Sequence, residues 1–325
     1  MKKVFAFILV SFLFTITACG DAIAAPVTMK LGHMSPLDSP FHYVAAEFKR
    51  LVEERSKGKI LIDIYPATQL GSDRELLEGI QIGTIDMAVN TSSAMTNFVR
   101  VYGVLDLPYM FKTWKHAYDW LASAASDALY EESYTSRIHT LAMMPRGFRH
   151  TFNNVRPITS PADMRGLKLR VVESSVYSDT FKIFGANPQQ MAWGEVYTAL
   201  QQKTIDGMEN NYVTVYDYKM YEIQAYGSET SHMFGFAAIN INDNKYKQLS
   251  PELQKLLVQC AKEAGVTIGR KQESEEQDFK KKIADSGVVI NQPDIKPFAA
   301  LVQHIYDEFA GKFGATHLKA IQALE

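Results

Sequence analysis

Two cysteines in 325 residues, Cys19 and Cys260, cannot build a disulfide framework, so the fold must be held by its core. Catalytic and cofactor signatures are missing as well. The chain has no H-E-x-x-H, no cysteine pair at metal-ligand spacing, no G-x-S-x-G, no phosphate loop and no G-x-G-x-x-G after a strand. Its histidines lie singly, so no metal cluster and no cofactor is expected. Excess charge is lacking too: 34 Lys and Arg stand against 36 Asp and Glu, with no basic block of the size a nucleic-acid backbone requires. Beyond the N-terminus, no apolar run approaches membrane length.

The N-terminal run indicates the compartment. Lys2 and Lys3 precede Val4 to Ala18, an apolar stretch of signal-peptide length, too short and too badly flanked for a membrane span. Ala22-Ile23-Ala24 fits an A-x-A cleavage site, which gives a signal peptide over 1–24 and a mature chain from Ala25. A second reading also fits: Ile16-Thr17-Ala18-Cys19-Gly20 resembles a lipoprotein box with Cys19 as the acylated residue. Both readings export the chain to the periplasm. Cleavage after Ala24 removes two lysines and one aspartate, taking the formal charge from −2 to −3. It leaves Cys260 alone, inside a helical apolar pattern where it reads as a small core residue.

What the chain does have is alternation. Val27 to Met34, Leu61 to Tyr65, Ile85 to Val89, His139 to Met143, Leu167 to Val172 and Ile205 to Met208 read as strands, separated by helical patterns over Tyr43 to Arg55, Ser72 to Gly83 and Glu195 to Gln202. This alternation predicts an α/β fold with a mainly parallel sheet and helices on both faces. Met233 to Ile241 reads as a long buried strand, Gly287 to Ile290 as a last strand and Ile295 to Phe313 as a closing helix. The tract from Ser250 reads either as one helix of about thirty residues, spanning roughly 45 Å, or as two shorter helices with a loop.

The chain also repeats itself. Residues 75–90 align with 195–210 at a constant offset of 120, matching at Glu, Gln, Thr, Ile, Asp and Asn. Each copy is a helix, a tight Thr-Ile-Asp turn and a strand ending at Asn90 or Asn210, which suggests two lobes built on one plan. Ligands of open parallel sheets bind beyond the carboxyl ends of strands, so Asn90 and Asn210 are expected to face one another across a cleft.

Arg170 is the most informative residue. It lies towards the end of a strand expected inside the sheet, where a guanidinium needs a partner and its planar fork matches a carboxylate. An anion clamp, an internal ion pair and an exposed edge arginine all fit the residues alone. Arg149, read as following another strand, is either a second positive contact or a solvated loop residue. Trp193, just before a helix, can wall off an organic ligand or simply pack. Asn210, Asn211 and Tyr212 bring amides and a phenol to a strand end, suited to hydroxyls and carbonyls or to an Asx turn. His33, near the end of the first strand, is a ligand contact or a capping and packing residue.

At these residues the sequence resembles the periplasmic substrate-binding proteins of tripartite ATP-independent (TRAP) transporters, the DctP-type family. The most specific stretches are Gly166 to Val171, Gly185 to Met191, Trp193 to Gln201 and Ile205 to Asn210, with a second match over Gln69 to Glu75 and Gly83 to Met87. The resemblance implies two α/β lobes with hinge strands, a long helix spanning both, and closure on a carboxylate. We place lobe I at 25–146 plus 236–275 and lobe II at 147–235 plus 276–325. The resemblance puts Arg170 on the family's carboxylate-binding arginine, Arg149 on a second arginine often used and Asn210 on the asparagine of a Glu-Asn motif. Trp193 falls where an aromatic commonly packs near the ligand. Asn211 replaces a common proline and adds an amide, which resembles binders of sugar acids such as uronates. The expected activity is capture without chemistry, by a monomer that hands an organic acid to a small and a large membrane subunit. A sensory binding protein serving a receptor and a periplasmic α/β enzyme are the alternatives.

Overall fold

A computed structural model describes residues 25–325, so the expected signal segment and Cys19 lie outside the described residues. Nine strands make one sheet: β1 (Val27–His33), β2 (Ile60–Tyr65), β3 (Met87–Thr91), β4 (Ile138–Asn153), β5 (Lys168–Val171), β6 (Asn187–Gln190), β7 (Gly207–Asn210), β8 (Tyr226–Asn242) and β9 (Val289–Asn291). Their order is β2-β1-β3-β8-β4-β7-β5-β6, with β9 pairing β8. Two parallel trios, β2-β1-β3 and β6-β5-β7, flank the sheet in the same internal order. Between them run β4 and β8, antiparallel to one another and to the third strand of each trio. Five of the eight pairings are thus parallel, in keeping with the alternation, and the three antiparallel ones all involve the long central strands β4 and β8.

The long strands were harder to read than the short ones. The strand expected to stop at Met143 continues to Asn153, through Pro145 and Gly147. Register shifts at Thr140/Ala142, Pro145/Gly147 and Arg149/Thr151 absorb these residues as bulges, which pairing tolerates at the cost of a local kink. Arg149 therefore lies on a strand and not after one. The lobe boundaries expected at 146/147 and 235/236 fall at the paired glycines Gly147 and Gly235.

The internal repeat has a physical basis. Asp86 Oδ2 accepts the backbone N–H of Lys30 at 2.8 Å, and Asp206 Oδ2 accepts that of Lys168 at 2.8 Å. The Thr84 and Thr204 hydroxyls donate to the carbonyls of Gly79 and Ala199, at 3.4 and 3.0 Å. In each half the threonine closes the helix end and the aspartate satisfies an N–H on the next strand of the trio, groups that would otherwise be left unpaired.

The helices that frame the site are α1 (Pro40–Arg55), α2 (Asp73–Ile82), α3 (Trp193–Gln201), α4 (Tyr212–Asp217) and α5 (Pro251–Asp285). Ser39 caps α1 by accepting the His42 N–H, with Pro40 at the first turn. Ser72 and Glu75 form a capping box on α2, which ends at Gly83 with φ 81°. α5 is one unbroken helix of 35 residues, about 52 Å long, and it packs on β4, α1 and α4. The closing helix, by contrast, is two: Lys296–Leu301 and Gln303–Phe313.

Apolar faces of these elements form three core clusters. Phe48, Ile62, Ile239, Leu257 and the fully buried Cys260 fill one, Phe152, Val196, Met208 and Ile283 a second, and Trp120, Phe181, Phe236 and Phe298 belong to the largest. α5 approaches β4 so closely that a Cβ on Gly265 would stand 2.7 Å from the Met143 carbonyl oxygen. Alanine normally favours a helix interior over glycine by about 1 kcal/mol. Here Gly265→Ala is expected to destabilise instead, by about 1–3 kcal/mol in chemical denaturation, because a backbone carbonyl cannot move aside. Unchanged or higher stability would mean that helix and strand are not in this contact.

Candidate functional site

Arg170 is the third residue of β5, paired with Gln189 of β6 and Met208 of β7. Its side chain is 3% exposed. Nε and Nη2 both donate to the Met191 carbonyl, at 2.9 and 2.7 Å, and the guanidinium carbon lies 5.3 Å from the Trp193 ring centroid. Carbonyl and indole orient the charge without neutralising it. Among the described residues no carboxylate pairs with it, and Nη1 makes no hydrogen bond. Burial draws its pKa down to about 10, with Glu209 opposing, so the group stays cationic at neutral pH. A buried cation without a counter-charge is costly, and its planar fork has the geometry of a carboxylate partner.

Arg149 is different. Its Nε donates to Glu209 Oε2 at 2.5 Å and Nη2 to Oε1 at 2.9 Å, a bidentate pair buried between β4 and β7. Burial alone would raise the Glu209 carboxyl, but Arg149 and the adjacent His232 hold it down at about 2. Arg149 lines the cavity, yet its charge is already matched.

The cavity measures about 530 Å³, within the range of small-molecule sites. Arg170, Arg149, Trp193 and Asn210 all line it. Asn210 closes β7, and its Oδ1 accepts the Asn211 N–H at 3.0 Å. Trp193 opens α3 and meets Tyr218 edge-on at 5.1 Å.

The other four candidates are not among the residues that line this cavity, and each has a polar contact inside the protein. Asn90 donates to the backbone carbonyl and Oδ1 of Asp73 at 3.2 and 3.3 Å and accepts from Asn240, so it does not face Asn210 across a cleft. Asn211 caps α4 by accepting the Thr214 N–H at 2.9 Å and donates to the Arg146 carbonyl at 2.6 Å. Tyr212 donates to Glu229 at 3.0 Å. His33 is buried against His42 at 3.1 Å, and burial followed by the His42 charge lowers its pKa to about 4.

Sequence reasoning passed over several other lining residues. Phe41 and Ser39 come from the start of α1, Ser72 and Asp73 from the start of α2, and Asp217 and Tyr218 from the end of α4. Arg146 is another. This guanidinium is 6% exposed, stacks 4.7 Å from the Phe41 ring centroid, and donates from Nη2 to Thr214 Oγ1 at 2.8 Å, while its Nε has no partner. Burial and then Arg149 lower its pKa to about 10, against Asp73. Because Pro145-Arg146-Gly147 reads as a strand terminator, nothing in the sequence put Arg146 on a strand.

A sheet of two matched halves, a helix packed along it and a cavity holding uncompensated guanidinium groups define a bacterial solute-binding protein. The chain belongs to the bacterial extracellular solute-binding proteins, family 7, which it matches over residues 31–312. It is 32% identical over 318 residues to the 2,3-diketo-L-gulonate-binding periplasmic protein of Escherichia coli K12, covering 97% of each chain. It is 28% identical over 307 residues to the C4-dicarboxylate-binding periplasmic protein of Rhodobacter capsulatus, covering 93% of this chain and 92% of that one. Its fold superposes with TM-score 0.88 on a TRAP periplasmic solute-binding protein from Polaromonas sp. JS666 bound to D-erythronate, at 31% identity, covering 91% of this chain and 98% of the other. Membership of a solute-binding family accords with the expectation of capture without catalysis.

Proposed function

We propose that this chain is the periplasmic subunit that captures a sugar acid, of the uronate or related class, and delivers it to the small and large membrane subunits of a TRAP transporter. The observation that carries the acid is Arg170, a buried guanidinium oriented by the Met191 carbonyl and left without an acidic partner. In this reading Arg170 takes the carboxylate, Trp193 covers it, and Asn210 and the outer edge of Arg149 meet neighbouring oxygens. The paired glycines Gly147 and Gly235 supply a hinge at which the lobes close. The names of two relatives support the sugar acid, since one binds 2,3-diketo-L-gulonate and another holds D-erythronate.

A thermal-shift screen of sugar acids, hydroxy acids, keto acids, amino acids and neutral sugars tests this. A ligand held at a hundred times its Kd stabilises the native state by about 2.7 kcal/mol, enough for a clear rise in Tm. We expect that rise with sugar acids. A rise confined to aromatic or aliphatic monoacids would reject the sugar, and one given by neutral sugars alone would reject the acid.

A further inference from the structure

Resting on the reading that Arg170 holds the ligand carboxylate, we infer that Arg146 and Asp217 read the far end of the ligand and restrict the site to acids with one carboxylate and a hydroxyl-bearing tail. Strand register separates the two arginines. Arg170 is level with Met208, which is level with Phe152, six positions along β4 from Arg146. At strand spacing six residues span at most about 20 Å, and the bulges at Pro145/Gly147 and Arg149/Thr151 shorten that run. Both side chains reach one cavity, and Arg149, already matched by Glu209, lies between them along β4.

The two arginines differ in what surrounds the guanidinium. At Arg170 the neighbours are a carbonyl oxygen and an indole face. At Arg146, two carboxyl groups, Asp73 and Asp217, line the same cavity and feel its charge. Neither is in ion-pair contact with it. Asp73 is engaged with the Thr91 N–H and hydroxyl at 3.0 and 2.7 Å and with the Asn90 amide. Asp217 is half-buried, and burial, then Asp38 and Glu275, push it up to about 7 against Arg146 and Lys271.

Arg146 can only donate hydrogen bonds, whereas Asp217 can accept one or, when protonated, give one. Together they suit hydroxyl oxygens, which both accept and donate. Above about pH 7, where Asp217 is ionised, a second ligand carboxylate would gain from Arg146 but meet the Asp217 charge in a half-buried wall that water screens only in part. The six-carbon monoacid therefore fits this end, and the diacid made by oxidising its terminal alcohol does not.

Matched probes differing only at that terminus isolate the effect: D-gluconate against D-glucarate, and D-galactonate against galactarate, by titration calorimetry on the mature chain at about pH 8.5, where Asp217 is ionised. The wild type is expected to bind at least one monoacid more than tenfold tighter than its diacid. Asp217→Asn should narrow that ratio at least tenfold by admitting the diacid, and Arg146→Gln should weaken the monoacid at least tenfold. Equal or tighter diacid binding by the wild type, or a ratio unmoved in Asp217→Asn, overturns the inference. Binding that is lost in Arg170→Ala yet indifferent to the terminus overturns this inference alone. Absence of binding by all four probes and by D-glucuronate and D-galacturonate contradicts the sugar-acid reading beneath it.

Discussion

Arg170→Ala is expected to abolish binding of every acid the wild type takes while leaving a cooperatively folded protein. Both halves follow from the guanidinium's partners. Among the described residues its hydrogen bonds run only to the Met191 carbonyl, so removing it strands no buried acid there and opens space beside an existing cavity. Unfolding stability should therefore change by no more than about 1–2 kcal/mol, in the ordinary range for a substitution that leaves no unpaired charge. Ligand binding loses a desolvated charge-assisted contact, an effect of about 2–5 kcal/mol or more, which is a 30-fold to several-thousand-fold loss of affinity. Arg170→Lys should fail similarly, because an ammonium cannot hold the Met191 carbonyl and present a planar fork together. Calorimetric titration of a variant with native-like circular dichroism checks this, and retained affinity would show that the carboxylate sits elsewhere.

Glu209→Ala should have the opposite profile, acting on the fold before the ligand. It leaves Arg149, 3% exposed, with an uncompensated charge between two strands, a loss of about 3–5 kcal/mol. The pair also sets an acid limit. Glu209 titrates near 2 when folded, below the ordinary glutamate value of about 4.3. A depressed folded pKa contributes stability that is complete above the unfolded value and is lost as pH falls through the folded one. Wild-type stability should thus decline between about pH 4.5 and 2 on this group's account. Glu209→Gln should be less stable at neutral pH with a shallower decline in that window, measured by denaturant titration at several pH values. Parallel pH curves for the two proteins would show that the ion pair does not set the limit.

Much of this was legible in the sequence because local chemistry and fold agree there. Ser72-Asp73-Arg74-Glu75 announces α2, and the two Thr-Ile-Asp turns announce the matched trios, since each side chain satisfies a backbone group nearby. Arg170 stood out because a charged residue interrupted an apolar strand. What was illegible depended on long-range pairing. β4 runs through a proline and a glycine that locally signal a stop, and only its pairing with β8 carries it on to place Arg146 and Arg149. Whether an arginine is matched also cannot be read locally. Glu209 lies sixty positions from Arg149 yet neutralises it, while among the described residues Arg146 and Arg170 have no such partner. Asn90 and Asn210 occupy equivalent positions of the repeat, but Asn240 and Asp73 engage the first, leaving only the second at the cavity.

A crystal structure of the mature chain with the acid that raises Tm most tests the central claim directly. The predicted result is one ligand carboxylate within hydrogen-bond distance of Arg170 Nη1 and under the Trp193 ring, with the hydroxyl tail directed towards Arg146. A carboxylate bound at any other group, with Arg170 still bonded only to the Met191 carbonyl, would contradict it.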